Sequence, residues 1–410
     1  MIRPIAFLSF CCATLFAASP AIAATANAGP MIVPESGDTG WLLAALCIGL
    51  LAAISGTIAY AIGGHGRATA TRILTAVTAA MALASLLYVL IGYSLVFDAG
   101  GSAWIGGGGN SMLAAMGTVR ETTTVPETGF ALFQLGFVLI AVALLNAMLA
   151  PRARPAWLLG FSGLWVILVI APIMRWIWGG GWLAEMGAMD GAGGLVIFLS
   201  TAVSAFVALI IIGRKADAQA QTPDHAIRLV GALLLMIGMM AMAGGSTLGA
   251  SDNSAVAMLT ILTAAMTGAL TSTALGRRLD AAALATGIVA GTVASAVAGD
   301  GVAIGAAWLT GVIAASIAHF APRLMPQRLS WQDSDGSSSM ATAAIAGGLL
   351  FAIFLAFDTF GGSGYGDGMA MGSQLIAQCA AVAAIGLWST FGTLVCALMA
   401  GLVLPMRSDD

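Results

Sequence analysis

One stretch of this sequence, 174–200, gathers the side chains best suited to acting on a small cation. Trp176, Trp178 and Trp182 flank a run of three glycines, and Asp190 stands directly before a Gly-Ala-Gly-Gly segment. The face of a tryptophan ring attracts cations, and a carboxylate adds negative charge. The stretch therefore predicts a vestibule at a membrane surface that feeds a buried lumen.

These residues also have simpler interpretations. Tryptophans commonly form a belt at the membrane–water interface, and we favour that interpretation for Trp176 and Trp182, whereas Trp178 stays open as a cation-binding ring. Asp190 can cap a helix, because a carboxylate accepts hydrogen bonds from unpaired backbone N–H groups and suits the positive end of the helix dipole. The cap and the attraction of cations do not exclude each other.

Two further segments offer polar or aromatic groups at membrane depth. Phe133, Gln134 and Phe137 lie on one predicted span, and Ser246 follows two glycines at the end of another. Taken singly, a Phe in a membrane helix is usually core or lipid-facing, and such a Ser is usually a packing contact.

The sequence contains no recognisable catalytic or metal site. Its histidines, His65, His225 and His319, fall at the predicted cytoplasmic side, so no imidazole relay crosses the membrane. There is no HExxH pair, no phosphate loop, and no cysteine spacing typical of a metal site. We expect neither an enzyme nor a cofactor.

Composition defines the class of protein that positions these residues. Of the 410 residues, 60% are hydrophobic and 8% are charged, against roughly a quarter charged in soluble domains. The net charge of −3 does not indicate nucleic-acid binding. The chain is predicted to be an all-α polytopic membrane protein.

The hydrophobic pattern predicts a signal peptide, 1–23, with cleavage after Ala23, followed by a transmembrane domain, 24–404, and a short cytoplasmic tail, 405–410. Windows of about 20 apolar residues are long enough to cross the bilayer. We count eleven after the leader, at 41–63, 72–97, 128–150, 156–173, 191–213, 227–245, 254–275, 280–298, 301–320, 339–357 and 372–403. A cleaved leader and an odd number of spans predict the N-terminus outside and the C-terminus inside.

The distribution of basic residues supports this orientation independently, because cytoplasmic loops are rich in Lys and Arg. Only Arg120 and Arg175 fall outside. The predicted cytoplasmic set is Arg67, Arg72, Arg152, Arg154, Arg214, Lys215, Arg228, Arg277, Arg278, Arg323, Arg328 and Arg407. Many spans also carry Gly, Ala, Ser and Thr three or four residues apart, which predicts close helix packing in a single bundle.

Several segments, in order along nearly the whole mature chain, resemble the ammonium transporter (Amt/Mep/Rh) family. They are Ile91–Phe97, Phe133-Gln134 with Phe137, Trp176–Leu183, Asp190–Gly194, Gly244–Ser246, and Gly372–Gln374 with Trp388-Ser389. The resemblance implies two inverted five-helix repeats plus a last helix, and a homotrimer with one pore in each subunit. It also implies an external ammonium site at Trp178, Phe137 and Ser246, with Asp190 at the pore mouth.

The chain departs from the family pattern inside the pore. We assign Phe133, Met242, Phe198 and Met340 to the pore and its gate. Met242 stands where the family has a second gate Phe, and Phe198 and Met340 stand where it has two facing histidines. Phe offers only a ring face and Met only a weak acceptor, so the proton handling of the family is not available in that form.

The resemblance implies a channel or transporter for ammonium (ammonia) or methylammonium in the bacterial inner membrane, with a pore that lacks histidine. Two alternatives stay open: a non-conducting protein that binds or senses ammonium on the same scaffold, and a channel for another small neutral solute. Because the predicted tail is short, we do not expect regulation by a P-II-type partner.

Overall fold

The computed structural model describes residues 33–117, 119–213, 222–302, 304–324, 336–357, 364–365 and 368–406. The predicted signal peptide and the last four residues of the predicted tail lie outside these ranges.

Within the described ranges, eleven helices are long and apolar enough to cross a membrane. We number them α1 to α11: Ser36–His65, Arg67–Phe97, Glu127–Leu149, Pro155–Glu185, Gly194–Ile212, His225–Ser246, Asp252–Gly276, Ala281–Ala298, Ile304–Leu324, Ser337–Phe354 and Met371–Val403. The all-helical class and the eleven predicted spans are confirmed.

The main difference from the predicted spans lies in α4. The apolar window predicted an end at residue 173, but the helix continues to Ile177, turns over residues 178–181, and adds a short helix, Trp182–Glu185. The apolar count underestimated α4 because tryptophans and an arginine occupy its last regular turn. This extension belongs to the stretch singled out above.

Helix ends follow local chemistry. Asp224 and Asp280 accept backbone N–H groups in the first turns of α6 and α8, at 3.2 Å from Ile227 N and 2.8 Å from Ala283 N. Gly66 and Gly213 end α1 and α5 with φ of +88° and +81°, which glycine adopts without steric cost.

Glycines let α1 and α6 approach until their backbones touch. A Cβ added to Gly56 or Gly63 would overlap the backbone of α6, and one added to Gly231 or Gly238 would overlap the backbone of α1. Each pair is spaced by seven residues, which places its members on one face of the helix. This packing confirms the close helix approach that the small residues predict.

The third helix, α3, lies inside the bundle. Nearly all of α3 is buried, compared with about a third of α2 and of α11. Polar side chains join it and its neighbours: Asn146 Nδ2 donates to Ser162 Oγ of α4 at 2.9 Å, and Trp165 Nε1 of α4 donates to Ser204 Oγ of α5 at 2.9 Å. Such bonds fix the rotation of helices whose surfaces are otherwise uniformly apolar.

Both arginines predicted outside have structural partners. Arg120 Nη1 lies 3.3 Å from Glu127 Oε1, and its guanidinium stands 4.5 Å from the centre of the Phe130 ring. The buried Arg175 donates to the carbonyl oxygens of Val96, Asp98 and Ser102 at 3.0–3.2 Å. These contacts give a structural reason for two basic residues on the side that the sequence predicts to lie outside.

Candidate functional site

Trp178 lies at the turn where the regular part of α4 ends. Its backbone N–H still donates to Met174 O at 2.7 Å, and Gly179 follows against the end of α2. A Cβ on Gly179 would clash with Val96 O, so only glycine allows the turn to pass this close. The half-buried indole is anchored at its polar edge, where Nε1 donates to Asp190 O at 2.7 Å.

Asp190 joins three elements. Its carboxylate Oδ2 accepts the backbone N–H groups of Leu195 (3.0 Å) and Val196 (2.6 Å) in the first turn of α5, and its carbonyl holds the Trp178 indole. This is the geometry of a helix cap, although the N-cap position itself is taken by Gly193 with φ of +91°. The carboxyl is 5% exposed, and Oδ1 has no hydrogen-bond partner among the described residues.

Two opposing effects set the charge of Asp190. Burial raises the pKa of its carboxyl to about 7, although hydrogen bonds from the N–H groups of Val196 and Leu195 work against the rise. Near neutral pH the group is therefore divided between its charged and neutral forms.

A series of aromatic rings runs from α3 to Trp178. The ring centres of Phe133 and Phe137 are 5.4 Å apart with an edge-to-face arrangement, and those of Phe137 and Trp178 are 4.9 Å apart and tilted by 48°. These distances are within the favourable range for aromatic pairs. The two Phe residues are buried, and Trp178 forms the accessible end of the series.

Ser246 and Met242 lie on the last turns of α6. Ser246 Oγ donates to Met242 O at 2.8 Å, which leaves its lone pairs available to accept a hydrogen bond from a cation. Met242 is fully buried and packs against Gly49 of α1 and Gly136 of α3. The Phe133 ring packs on Gly245, the residue beside Ser246, and so connects this end of α6 with the ring series.

Phe198 is fully buried in the first turns of α5, which contact α3, α8, α10 and α11. Its helical segment, Gly194–Leu199, has the wider hydrogen-bonding of a π-helix, a form often associated with functional sites. The close approach of Gly194 to Val297 of α8 holds this turn at the centre of the bundle.

Met340 lies at a different place, in the first turn of α10. It lines a small cavity of about 20 Å³ together with Thr57, Tyr60, His65 and Arg228, and Phe198 is not among the lining residues. A volume of this size holds about one water-sized molecule. Thr57 is buried, and its Oγ1 has no hydrogen-bond partner among the described residues.

The structure thus brings the predicted site residues into two groups. Trp178, Asp190, Phe137 and Phe133 form one connected set through direct contacts, and Ser246 and Met242 join it through α6. Phe198 follows Asp190 on α5, and Met340 lies apart from this set, at the small cavity that Tyr60 and Arg228 also line. Trp176 and Trp182 lie in a separate aromatic cluster with Trp104 and Trp388, in which Trp104 is 58% exposed.

Sequence reasoning missed several residues at both places. His65 lies beyond the predicted span 41–63, but in the structure it ends α1 and lines the cavity beside Met340. Gln374 and Gln378 of α11 bond the backbone of the loop before Asp190. Two glutamines four residues apart in an apolar helix were the signal for this contact, because such a pair shares one helix face.

Known proteins similar to this chain are ammonium transporters. The chain is 29% identical to an ammonium transporter of Aquifex aeolicus over 390 residues, covering 92% of this chain and 90% of that protein. It is 35% identical to the ammonium transporter of Bacillus subtilis over 191 residues and 32% identical to Amt1 of Archaeoglobus fulgidus over 221 residues. These two matches cover 46% and 53% of this chain, and the chain spans about half the length of those curated relatives, 47% and 54%.

Solved structures share the fold. The delta442 mutant of Candida albicans Mep2 matches with a TM-score of 0.79 and 26% identity, over 92% of this chain and 95% of that one. Mep2 of Saccharomyces cerevisiae matches with a TM-score of 0.78 and 24% identity, over 92% and 90%. The model of the Ammonium Transporter Family matches residues 40–410, and the chain therefore belongs to that family.

Proposed function

We propose that this protein is a transmembrane channel or transporter for ammonium (ammonia) or methylammonium, with cation recruitment at Trp178, Phe137 and Ser246. The observation that carries the proposal is the pairing of Trp178 with Phe137 at 4.9 Å, with the indole held by Asp190. A half-buried ring that is fixed at one edge is suited to hold a small cation.

The chemistry at this end of the bundle favours a monovalent cation. A ring face contributes about 0.5–2 kcal/mol to cation binding, depending on desolvation. Ser246 Oγ can accept one N–H, because its own proton is used on Met242 O. In its ionised form, Asp190 adds negative charge near the polar edge of the ring, where its carbonyl accepts the indole N–H.

Deeper in the bundle the side chains favour a neutral species. Removing the hydration shell of a bare cation is costly, and Phe133, Met242, Phe198 and Met340 offer no strong acceptor to replace it. We therefore propose that ammonium returns its proton to the external water after recruitment, that neutral ammonia continues inward, and that Phe198 sets the resistance of the path. At the far end of the proposed path, the cavity beside Met340 has room for one water-sized molecule.

The finer assignments follow from the same proposal. The basic residues support a chain with its N-terminus outside and its C-terminus inside, in a bacterial inner membrane. A homotrimer with two inverted repeats in each subunit is the assembly that the family resemblance favours.

Stopped-flow measurement of flux into proteoliposomes that contain a pH-sensitive dye tests the proposal, because the dye responds to the entry of neutral ammonia as well as of ammonium. Trp178→Ala should raise the KM for ammonium and methylammonium about tenfold, the loss of one cation–π contact. Trp104→Ala is the matched control, because Trp104 belongs to the separate aromatic cluster, and it should change KM less than about twofold. No ammonium-dependent signal above empty liposomes would remove the transport function.

The full burial of Phe198 favours a second candidate, a non-conducting protein that binds or senses ammonium. A solved structure described as a sensor Amt protein has the same fold, with a TM-score of 0.80 and 22% identity. This candidate predicts ammonium-dependent quenching of tryptophan fluorescence that Trp178→Ala abolishes, together with no flux. Measured flux would exclude it.

A further inference from the structure

The last helix, α11, is hydrogen-bonded to the loop that leads to Asp190. Gln378 is fully buried, and its side-chain amide pairs with both backbone groups of one residue. Gln378 Oε1 accepts Met189 N–H at 2.9 Å, and Gln378 Nε2 donates to Met189 O at 2.9 Å. One turn earlier, Gln374 Nε2 donates to Gly187 O at 2.8 Å.

This pairing fixes the peptide that carries Asp190. Met189 directly precedes Asp190, whose carboxylate is bound to the start of α5 and whose carbonyl accepts the Trp178 indole N–H. The loop is thus held by α11 on one side and by α5 on the other. Gln378 is connected to the Trp178 ring through two backbone residues, and no described contact joins their side chains directly.

The orientation of the indole depends on this chain of contacts. Cation–π attraction requires the cation to lie over the ring face, so a rotated ring loses it. The indole has one polar anchor, and that anchor is the carbonyl of Asp190. A shift of the 189–190 peptide would therefore move the hydrogen-bond acceptor and release the ring from its position against Phe137.

We propose that Gln378 is a positioning residue that sets the cation affinity of the vestibule by holding the Met189–Asp190 peptide in register with Trp178. The proposal rests on the recruitment function proposed for Trp178. It predicts a specific kinetic pattern: weaker substrate capture at an unchanged maximal rate. A residue with a purely structural role would lower the amount of folded protein and reduce the maximal rate as well.

The first test replaces the amide with side chains of similar length. Gln378→Met removes both hydrogen bonds and should raise the KM for methylammonium about tenfold, with Vmax within about twofold, as expected for the loss of one to two neutral hydrogen bonds. Gln378→Glu, in its ionised form, keeps the acceptor for Met189 N–H and loses the donor to Met189 O. Its KM should therefore lie between that of the wild type and that of Gln378→Met. Size-exclusion chromatography monitors the amount of folded protein for each variant.

Thr390→Ala is the matched control on the same helix. Thr390 Oγ1 donates to Gly386 O of its own helix, and its side chain is exposed. The substitution should therefore change neither KM nor Vmax. A Gln378→Met protein with an unchanged KM, whether or not its Vmax is reduced, would overturn the positioning role. If Gln378→Met does not yield folded protein, Gln378→Glu with a wild-type KM would overturn it equally.

A double-mutant cycle tests the route of the effect. Trp178→Phe keeps an aromatic ring but lacks the N–H that donates to Asp190 O. If Gln378 acts through that bond, Gln378→Met should add less than about twofold to the KM of Trp178→Phe, because coupled residues are not additive. If the two substitutions instead raise KM by factors that multiply, they act independently, and the route through the bond to Asp190 O is contradicted.

The two proposals fail in different ways. A wild-type protein without any ammonium signal, or one whose KM does not respond to Trp178→Ala, contradicts the recruitment function itself. A KM that responds to Trp178→Ala but not to either Gln378 variant contradicts the positioning role alone.

Discussion

At the scale of single residues, Asp190 makes the stability of the folded protein depend on pH. Burial raises the pKa of its carboxyl to about 7, above the value of about 3.9 for an exposed Asp. The folded protein therefore binds this proton more tightly than the unfolded chain does. Stability must fall as the pH rises from about 4 to about 7 and then stay level.

Asp190→Asn isolates this effect, because the amide keeps an oxygen acceptor for the N–H groups of α5 but does not ionise. We expect the Tm of the wild type, relative to that of Asp190→Asn, to decrease between pH 4 and pH 7 in thermal unfolding in detergent. Asp190→Ala, which also loses the cap, should be less stable than Asp190→Asn by about 1 kcal/mol at every pH. A Tm difference between wild type and Asp190→Asn that does not vary with pH would contradict the assignment.

In the proposed transport function, Phe198 is the residue that limits conduction. Phe198→Ala should increase ammonium flux severalfold in proteoliposomes, since it removes a fully buried ring from the first turns of α5. Phe161→Ala is the control of equal size, because Phe161 is also fully buried but stacks on Trp157 in α4. Both variants should lose stability, and equal flux in both would show that Phe198 does not limit the path.

At the scale of elements, the contact between α1 and α6 depends on glycine. Gly231 of α6 faces the backbone N of Tyr60, and a methyl group there forces the helices apart, at a cost of about 1–3 kcal/mol. Gly231→Ala should therefore lower the Tm in detergent by several degrees. Gly386→Ala on α11, where an added methyl group meets open space, should leave the Tm unchanged or slightly raised.

This contact also matters for function, because the helices that it joins reach both groups of site residues. The end of α6 carries Met242 and Ser246, and its start carries Arg228 beside the cavity. A separation of α1 and α6 should therefore disturb transport together with stability. Equal Tm values for Gly231→Ala and Gly386→Ala would contradict the packing argument.

At the scale of the whole molecule, the predicted orientation of the chain in the membrane decides on which side the cation is recruited. It places Trp178 and Asp190 outside and the Met340 cavity inside. Green fluorescent protein fused after Val403 should fluoresce in cells and alkaline phosphatase fused there should be inactive, whereas a phosphatase fusion after Gly249, between α6 and α7, should be active. The reverse pattern would invert the proposed direction of recruitment.

The sequence by itself determined the class of protein, the number of helices and most of their limits. Apolar windows of membrane length are a local signal, because each helix satisfies its own backbone hydrogen bonds and needs no partner to be recognised. The segments that contain Trp178, Phe137 and Ser246 were also recognisable, since their residue types are chemically distinctive and occur in a fixed order.

Only the tertiary structure decided how these residues meet. The extension of α4 to Ile177, the position of His65 beside Met340, and the contact of Gln378 with Met189 all join residues that are distant in sequence or lie beyond an apolar window. Such contacts depend on the rotation and spacing of packed helices, which glycine approaches and a few buried hydrogen bonds decide. For this reason the sequence predicted Trp178 as a cation platform, while the structure showed that Asp190 accepts its indole N–H and that Gln378 binds the backbone of the preceding residue, Met189.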